Sequence, residues 1–432
     1  MPASLSITNV TLIDVAGAPP ATDATIVIED GRIASAAAGL DAPLGGEVID
    51  GRGLWAAPGL IDTHVHLELV GRESLPVFLA LGVTTIRDLG GALDFLVESR
   101  RLLEDGAVGP RLLFTGPMID GPEPTWPALV RTTADAGAAA AAVQEHLDAG
   151  ADAIKLYTTL PPESLRRCIQ QAGGRVPVTG HLSRTLSSEA MGAGIDGLEH
   201  ALLTPYNDLA PDGQQTPPGE TMTSPGFWQK LINGWAEVDL SSERAQRWIE
   251  LLVQRDVSFC PTLTVAPGAG DEPDADELRY APRVAERWLE ATRQRDAAPP
   301  PPQLQERTRR VRAKLQELVG LVQRAGGRVV SGTDTGAVRS LVPGFSLHRE
   351  LSLLAGAGLS AGDVLRAATA RAAEAVRRDD LGSIAPGKRA DLLLVRRNPL
   401  DDVRALRDIH RVVVDGRVYD PAALLAAARR EA

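Results

Sequence analysis

Between residues 58 and 380 the chain repeats one pattern: a short, mostly apolar run of strand length, then a stretch with helical periodicity. Apolar runs of this length read as strands buried on both faces. Eight are present, at 60–67, 84–89, 111–115, 153–157, 176–182, 197–202, 258–265 and 328–334. Helical stretches at 93–104, 136–149, 162–172, 243–254 and 305–324 lie between them. A strand followed by a crossover helix makes parallel pairs, and eight such units specify a (β/α)8 TIM barrel. The expected fold class is therefore α/β.

The two ends of the chain have a different character. Runs at 5–13, 24–28, 32–36 and 47–50 read as hairpin strands without intervening helices, with a turn at Asp30-Gly31. The same character returns at 391–396, 410–414 and 417–419, with a turn at Asp415-Gly416. Chain ends often lie close together, so both sets are expected to build one small composite β-sandwich. The expected domains are residues 1–57 and 381–432 as the two parts of that sandwich, around a barrel of residues 58–380. Segments 203–240 and 266–303 follow the sixth and seventh strands and are long enough to act as lids. Trp126, Phe227, Trp228, Trp235, Tyr280 and Trp288 in or beside them either line a pocket or pack the insertions down.

Composition narrows the function by exclusion. Against 56 acidic side chains stand 45 basic ones, a net charge of −11, and no basic block occurs, which argues against nucleic acid or an anionic membrane as partner. No run approaches the ~18 apolar residues of a membrane span, and the start has no leader pattern, so a cytoplasmic protein is expected. Two cysteines, Cys168 and Cys260, make neither a disulfide framework nor a thiolate zinc site. That leaves seven histidines to be weighed singly.

His64 and His66 alternate in the first barrel strand and so share one face, at the strand end where barrel active sites lie. His181 ends the fifth strand, His200 the sixth and Asp334 the eighth, while Lys155 sits inside the apolar fourth. All six residues map to one end of the barrel. Two imidazoles at that spacing can share a divalent metal, and the others converge on it.

With these motifs the sequence resembles the amidohydrolase superfamily, in the branch of imidazolonepropionase and prolidase-like metal-dependent hydrolases. The likeness extends to the tail, through Leu381-Gly382-Ser383, Pro386-Gly387-Lys388-Arg389-Ala390-Asp391-Leu392 and Asn398-Pro399-Leu400. It implies His64 and His66 as first-strand metal ligands, Lys155 as a bridging lysine, His181 and His200 as ligands of a second metal, and Asp334 as the last ligand and catalytic proton shuttle. Two divalent ions are implied, with zinc the ion expected, joined by a CO2-derived carbamate on Lys155. A lysine buried in an apolar strand loses its proton readily enough to capture CO2. A hydroxide shared by the metals would attack the carbonyl of a peptide-like or N-acyl amino acid amide.

Other residues are candidates for substrate contact: Tyr157 and Tyr206 as donors to an oxyanion, Arg184 and Arg339 as forks for a carboxylate, and His348 on a helix after the last strand. Asp88 reads as a structural hydrogen-bonding residue, His146 and His410 as functionless. The partner expected is a small-molecule substrate, with a homo-oligomer compatible. The alternatives are a mononuclear hydrolase or deaminase of a cyclic amide or imidazolone, a lactone or ester hydrolase, and a non-enzymatic scaffold. The complete ligand set argues against the last.

Overall fold

The computed structural model describes residues 4–43, 46–217, 220–266, 273–297, 301–338 and 340–431. The N-terminal strands are β1 (Ser4–Leu12), β2 (Ala21–Glu29), β3 (Arg32–Ala38), β4 (Glu47–Asp50) and β5 (Trp55–Pro58). The middle of the chain contributes β6 (Leu60–Val65), β7 (Val83–Asp88), β8 (Arg111–Phe114), β9 (Met118–Asp120), β10 (Val130–Thr132), β11 (Ile154–Leu156), β12 (Val178–Gly180), β13 (Gly197–Glu199), β14 (Ser258–Cys260) and β15 (Arg328–Val329). The last strands are β16 (Leu392–Val395), β17 (Ile409–Val414) and β18 (Arg417–Tyr419).

Asp30 and Gly31 hold left-handed backbone, φ 49° and 75°, and so do Asp415 and Gly416, φ 47° and 75°. Two successive left-handed residues are what a two-residue hairpin requires, which explains Asp-Gly between β2 and β3 and between β17 and β18. The turns touch, since a Cβ on Gly31 would lie 2.9 Å from the Asp415 carbonyl oxygen.

β5 joins the two ends of the chain. It runs parallel to β1 and antiparallel to β16, with Thr11 opposite Trp55 and Leu394 opposite Ala56. The strand order is β18-β17-β16-β5-β1-β2-β3 with β4 beside β1, so both chain ends enter one sheet among the described residues. Alternation then divides its faces. Ala56, Leu392, Leu394 and Val413 enclose a small core with Leu5, Ile7 and Ile26. Their neighbours Ala57, Leu393, Val395 and Val412 join the large core under the central strands, which seats the sheet on the rest of the molecule.

Each of the eight central strands expected from the sequence is present, and their pairing is parallel, in the orders β6-β7-β8 and β10-β9-β11-β12-β13-β14-β15. Hydrogen bonds also link β6 to the segment after β15, from Thr63 N–H to Ser331 O at 3.1 Å and from Asp334 N–H to His64 O at 2.8 Å. A further bond, Asp152 N–H to Phe114 O at 2.8 Å, links β8 to the approach of β11. Helices Leu93–Glu104, Ala136–Asp148, Pro162–Ala172, Glu243–Gln254 and Pro302–Arg324 connect them as the periodicity predicts. Asp135 caps the second of these through Ala138 N–H, at 2.8 Å.

Both insertions are helical where described. The first carries Tyr206–Leu209 and Phe227–Glu237, anchored by a fully buried Trp235 whose indole N–H donates to Leu202 O at 2.7 Å. The second carries Ala275–Leu278 and Pro282–Ala297, and its Arg287 donates to Gly336 O at 2.9 Å, just beyond Asp334. Among the described residues no helix is long and apolar enough to cross a membrane.

Candidate metal centre

His64 and His66 leave β6 buried, 1% and 4% exposed, and both Nε2 atoms face one carboxylate oxygen. Asp334 Oδ1 lies 3.2 Å from His64 Nε2 and 3.1 Å from His66 Nε2. The His200 ring stands 4.7 Å from that of His64 and 4.2 Å from that of His181, centre to centre. Three of the four imidazoles are oriented from behind through Nδ1. His64 is held by Glu199 Oε2 at 2.8 Å, His66 by Gly90 O at 3.2 Å and His200 by the Thr262 hydroxyl at 2.7 Å. Fixing Nδ1 in this way leaves the Nε2 lone pair for a metal.

The backbone is shaped for this convergence. His200, Thr262 and Asp334 all take left-handed backbone, φ 67°, 44° and 64°, beyond the ends of β13, β14 and β15. Each such residue costs on the order of 1 kcal/mol or more, held in place by its surroundings. Gly332 permits the approach of the last strand to the first, because a Cβ there would lie 2.5 Å from Cys260 Sγ and 2.8 Å from His64 Cβ.

The electrostatics fit a metal site. Lys155 Nζ and His181 Nε2 are buried and have no hydrogen-bond partner among the described residues. A lone interior ammonium is costly, and burial pushes Lys155 down to about 8. Burial likewise drives His181 and His200 well below the usual imidazole range, keeping both in the neutral form that ligates. Burial works to raise Asp334, but the facing His64 and His66 outweigh it and keep the carboxylate ionised. Four imidazoles, a carboxylate and an unpartnered amine form a donor set suited to divalent ions of borderline hardness.

Known proteins resemble this chain in part of its sequence and over its whole fold. Residues 279–419 match the amidohydrolase family. That match covers only part of the chain. Over its whole length the chain is similar to the structure of bottromycin amidohydrolase, with 26% identity and TM-score 0.78 over 99% of this chain and 91% of that one. A prolidase structure from Bifidobacterium longum is similar at 26% identity and TM-score 0.71, over 99% of each chain. Imidazolonepropionase from Idiomarina loihiensis is 43% identical over 101 residues, 22% of this chain and 25% of that protein. The curated relatives are matched in part only: the chain spans 11% of the first of them.

In this chain, all six residues singled out as ligands line one cavity of about 230 Å³ together with Tyr157. Tyr157 meets the His181 ring edge-on at 5.0 Å, and burial pushes its phenol well above the usual range, so it keeps its proton and can donate. Trp126 and Trp228, both partly exposed, form part of the same wall. Phe227, Trp235 and Tyr280 do not line it, and Tyr280 stacks on Phe345 instead, at 5.9 Å. Arg184 lines a second cavity next to the first. Arg339 and the side chain of Trp288 lie outside the described residues.

Two expectations need correction. Tyr206 packs its ring against Trp235 and donates to Gln214 O at 2.8 Å, so its hydroxyl holds the first insertion together and faces no substrate. His348 lies on the inner side of helix Phe345–Gly356, where Nε2 meets Leu81 O at 2.8 Å and the ring ties that helix to the first βα unit. Asp88 is structural, as expected: it accepts from Leu67 N–H at 2.6 Å and Gly90 N–H at 2.9 Å. Glu199 and Arg87, which the sequence reading did not single out, stand behind His64. Glu199 is buried and accepts from Arg87 at 2.9 Å and Thr179 at 2.6 Å as well as facing His64. The available signal was an acid beside His200 inside a buried strand.

The His348 environment has a measurable consequence. Burial pushes its imidazole down to about 4. Below pH 6.5 the unfolded chain therefore takes up a proton that the folded chain refuses, and stability falls as pH drops from that value toward 4. His348→Gln, which does not titrate, is expected to lose about 2 kcal/mol less than the wild type between pH 7 and pH 5. Denaturant midpoints at the two pH values test it, and parallel losses in both proteins would refute it.

Proposed function

We propose that this chain is a metal-dependent hydrolase of carbon–nitrogen bonds, built on a closed (β/α)8 barrel and acting on a peptide-like or N-acyl amino acid amide. The observation that carries this reading is the unpartnered Lys155 amine among four imidazoles and Asp334. His64, His66 and Asp334 would hold one divalent ion, His181 and His200 the second, and Lys155 would join them as a carbamate. Its amine attacks CO2, forms the C–N bond and releases one proton, giving a carboxylate with long reach. Zinc ions bound there supply a Lewis acid and a water of lowered pKa.

The protein's own groups do the rest. Asp334, ionised and set against both first-strand imidazoles, is placed to accept the proton of the attacking water and return it to the leaving amine. Tyr157 offers its hydroxyl to the carbonyl oxygen as negative charge develops there. Glu199 and Arg87 hold the His64 ring in orientation. The side chains around the cavity, Met118, Leu129, Met222 and Val265 among them, favour an apolar substituent beside the scissile bond.

A second reading, a single ion, draws on His64, His200 and Asp334, whose ligand atoms lie within 4.8 Å of one another. Metal analysis separates the two. Protein refolded with excess zinc and bicarbonate and then desalted is expected to retain about two equivalents per chain and to hydrolyse members of a dipeptide and N-acyl amino acid panel. One retained equivalent would favour the mononuclear reading, and none would refute both.

A further inference from the structure

Beside the metal cavity lies a second cavity of about 420 Å³, and Leu203 and Met222 belong to the walls of both. The two differ in chemistry. Among the described residues lining the first, Lys155 is the only lysine or arginine, and it is committed to the centre. The second is lined by hydroxyls and amides, including Thr158, Ser183 and Asn207, and by Arg184.

The backbone carrying Arg184 is pinned at three consecutive residues. Asn207 Nδ2 donates to Ser183 O at 2.8 Å, Arg184 N–H donates to Thr158 O at 2.9 Å, and Thr185 Oγ1 donates to Leu160 O at 2.7 Å. Thr158 is tied in turn to Thr125, hydroxyl to hydroxyl, at 3.0 Å. The guanidinium itself makes no hydrogen bond or ion pair among the described residues. Of the two acids on this cavity wall, Glu220 is paired with Lys230, and Glu123 makes no ion pair with Arg184. A held backbone carrying an exposed, unused planar fork is an arrangement that can recognise a carboxylate by two parallel hydrogen bonds. A loop already held in position also spares the ligand the ordering of its own site.

We infer that the second cavity is the anion subsite of this enzyme, with Arg184 receiving the carboxylate of a substrate whose apolar portion and scissile amide occupy the first. The substrate class is then an amide with an apolar group at the reacting centre and a carboxylate beyond it, long enough to pass between Leu203 and Met222. This rests on the hydrolase reading above for the position of the scissile bond, but not for the carboxylate itself.

The test uses di- and tripeptides of apolar residues in matched pairs, each with a free C-terminal carboxylate or a carboxamide, on the zinc-loaded full chain. Binding of the same pairs, with the amides replaced by methyleneamine isosteres, is measured by calorimetry. Wild type is expected to favour the carboxylate member by roughly 10- to 100-fold in kcat/KM and in affinity, the range of a hydrogen bond to a charged group. In Arg184→Ala that ratio is expected to fall to about one, and in Arg184→Glu to invert. If no peptide is cleaved but isostere binding keeps an Arg184-dependent preference, the subsite stands and the hydrolase reading falls. An equal response to both members in wild type, or an undiminished preference in Arg184→Ala, would overturn the subsite.

Discussion

Lys155→Met is expected to remove metal from the centre without weakening the metal-free fold. The amine is fully buried and has no hydrogen-bond partner among the described residues, so the protein carries its desolvation with little return until a ligand engages it. An apolar side chain of similar length fills the same volume and removes that burden, much as buried polar groups can be replaced without loss. The melting temperature of metal-free protein should therefore stay level or rise. Metal content should fall below about two equivalents, and kcat/KM should drop by more than about a hundredfold, since even outer partners of metal ligands are worth 10- to 100-fold. Carbamate formation gives a second readout. Wild type incubated with 13C-bicarbonate and zinc should show a carbamate carbon resonance that Lys155→Met lacks. A stable variant retaining two metals and wild-type turnover would remove Lys155 from the bridging role.

The frame of the molecule was legible in the sequence because periodicity and turn chemistry are local. Asp30-Gly31 and Asp415-Gly416 marked their hairpins because few other residue pairs take two left-handed conformations cheaply. His64 and His66 marked the mouth of the central strands because a strand alternates its faces. β5 was not legible. It is a four-residue run ending in Pro58, with little strand propensity, and its role comes from partners in β1 and β16, the latter more than 300 positions away.

The site divided along the same line. His64 and Lys155 lie on strands, where direction follows from alternation, and His66, His181, His200 and Asp334 stand past strand ends on the wall of the same cavity. Tyr206 and His348 stand on helices beyond the strand ends, where nearness in sequence says nothing about which way a helix turns its side chains; both turned inward, to Trp235 and to Leu81 O. Arg184 belongs to a loop whose course depends on Thr158, Leu160 and Asn207, three residues on two other segments. Glu199 was overlooked for a related reason. An acid next to a histidine has no distinctive local signature, and its meaning comes from His64 and Arg87, 135 and 112 positions away.

Glu199 is where the second large effect is expected. It accepts from Arg87 and from Thr179, and its other oxygen meets His64 Nδ1. Burial works to raise its carboxyl, yet its contacts with His64, Lys155 and Arg87 hold it well below the usual range. Glu199→Ala leaves the Arg87 guanidinium buried without its carboxylate, which typically costs about 3–5 kcal/mol, so that variant reports on folding more than on the metal. The informative protein is Glu199→Gln combined with Arg87→Met. It removes both charges together and keeps most of the volume, so the stability of the metal-free chain should largely recover. The geometry at His64 should not recover, because an amide can offer its NH2 group to Nδ1 and allow the other tautomer, with the proton on Nε2. Zinc affinity at the centre is then expected to fall by roughly 10- to 100-fold while the melting temperature of the metal-free protein stays near wild type. Competition with a zinc-binding dye measures the first quantity and thermal denaturation the second. Wild-type affinity in a stably folded double variant would show that His64 needs no partner behind it, and loss of affinity and stability in proportion would reduce Glu199 to a structural acid.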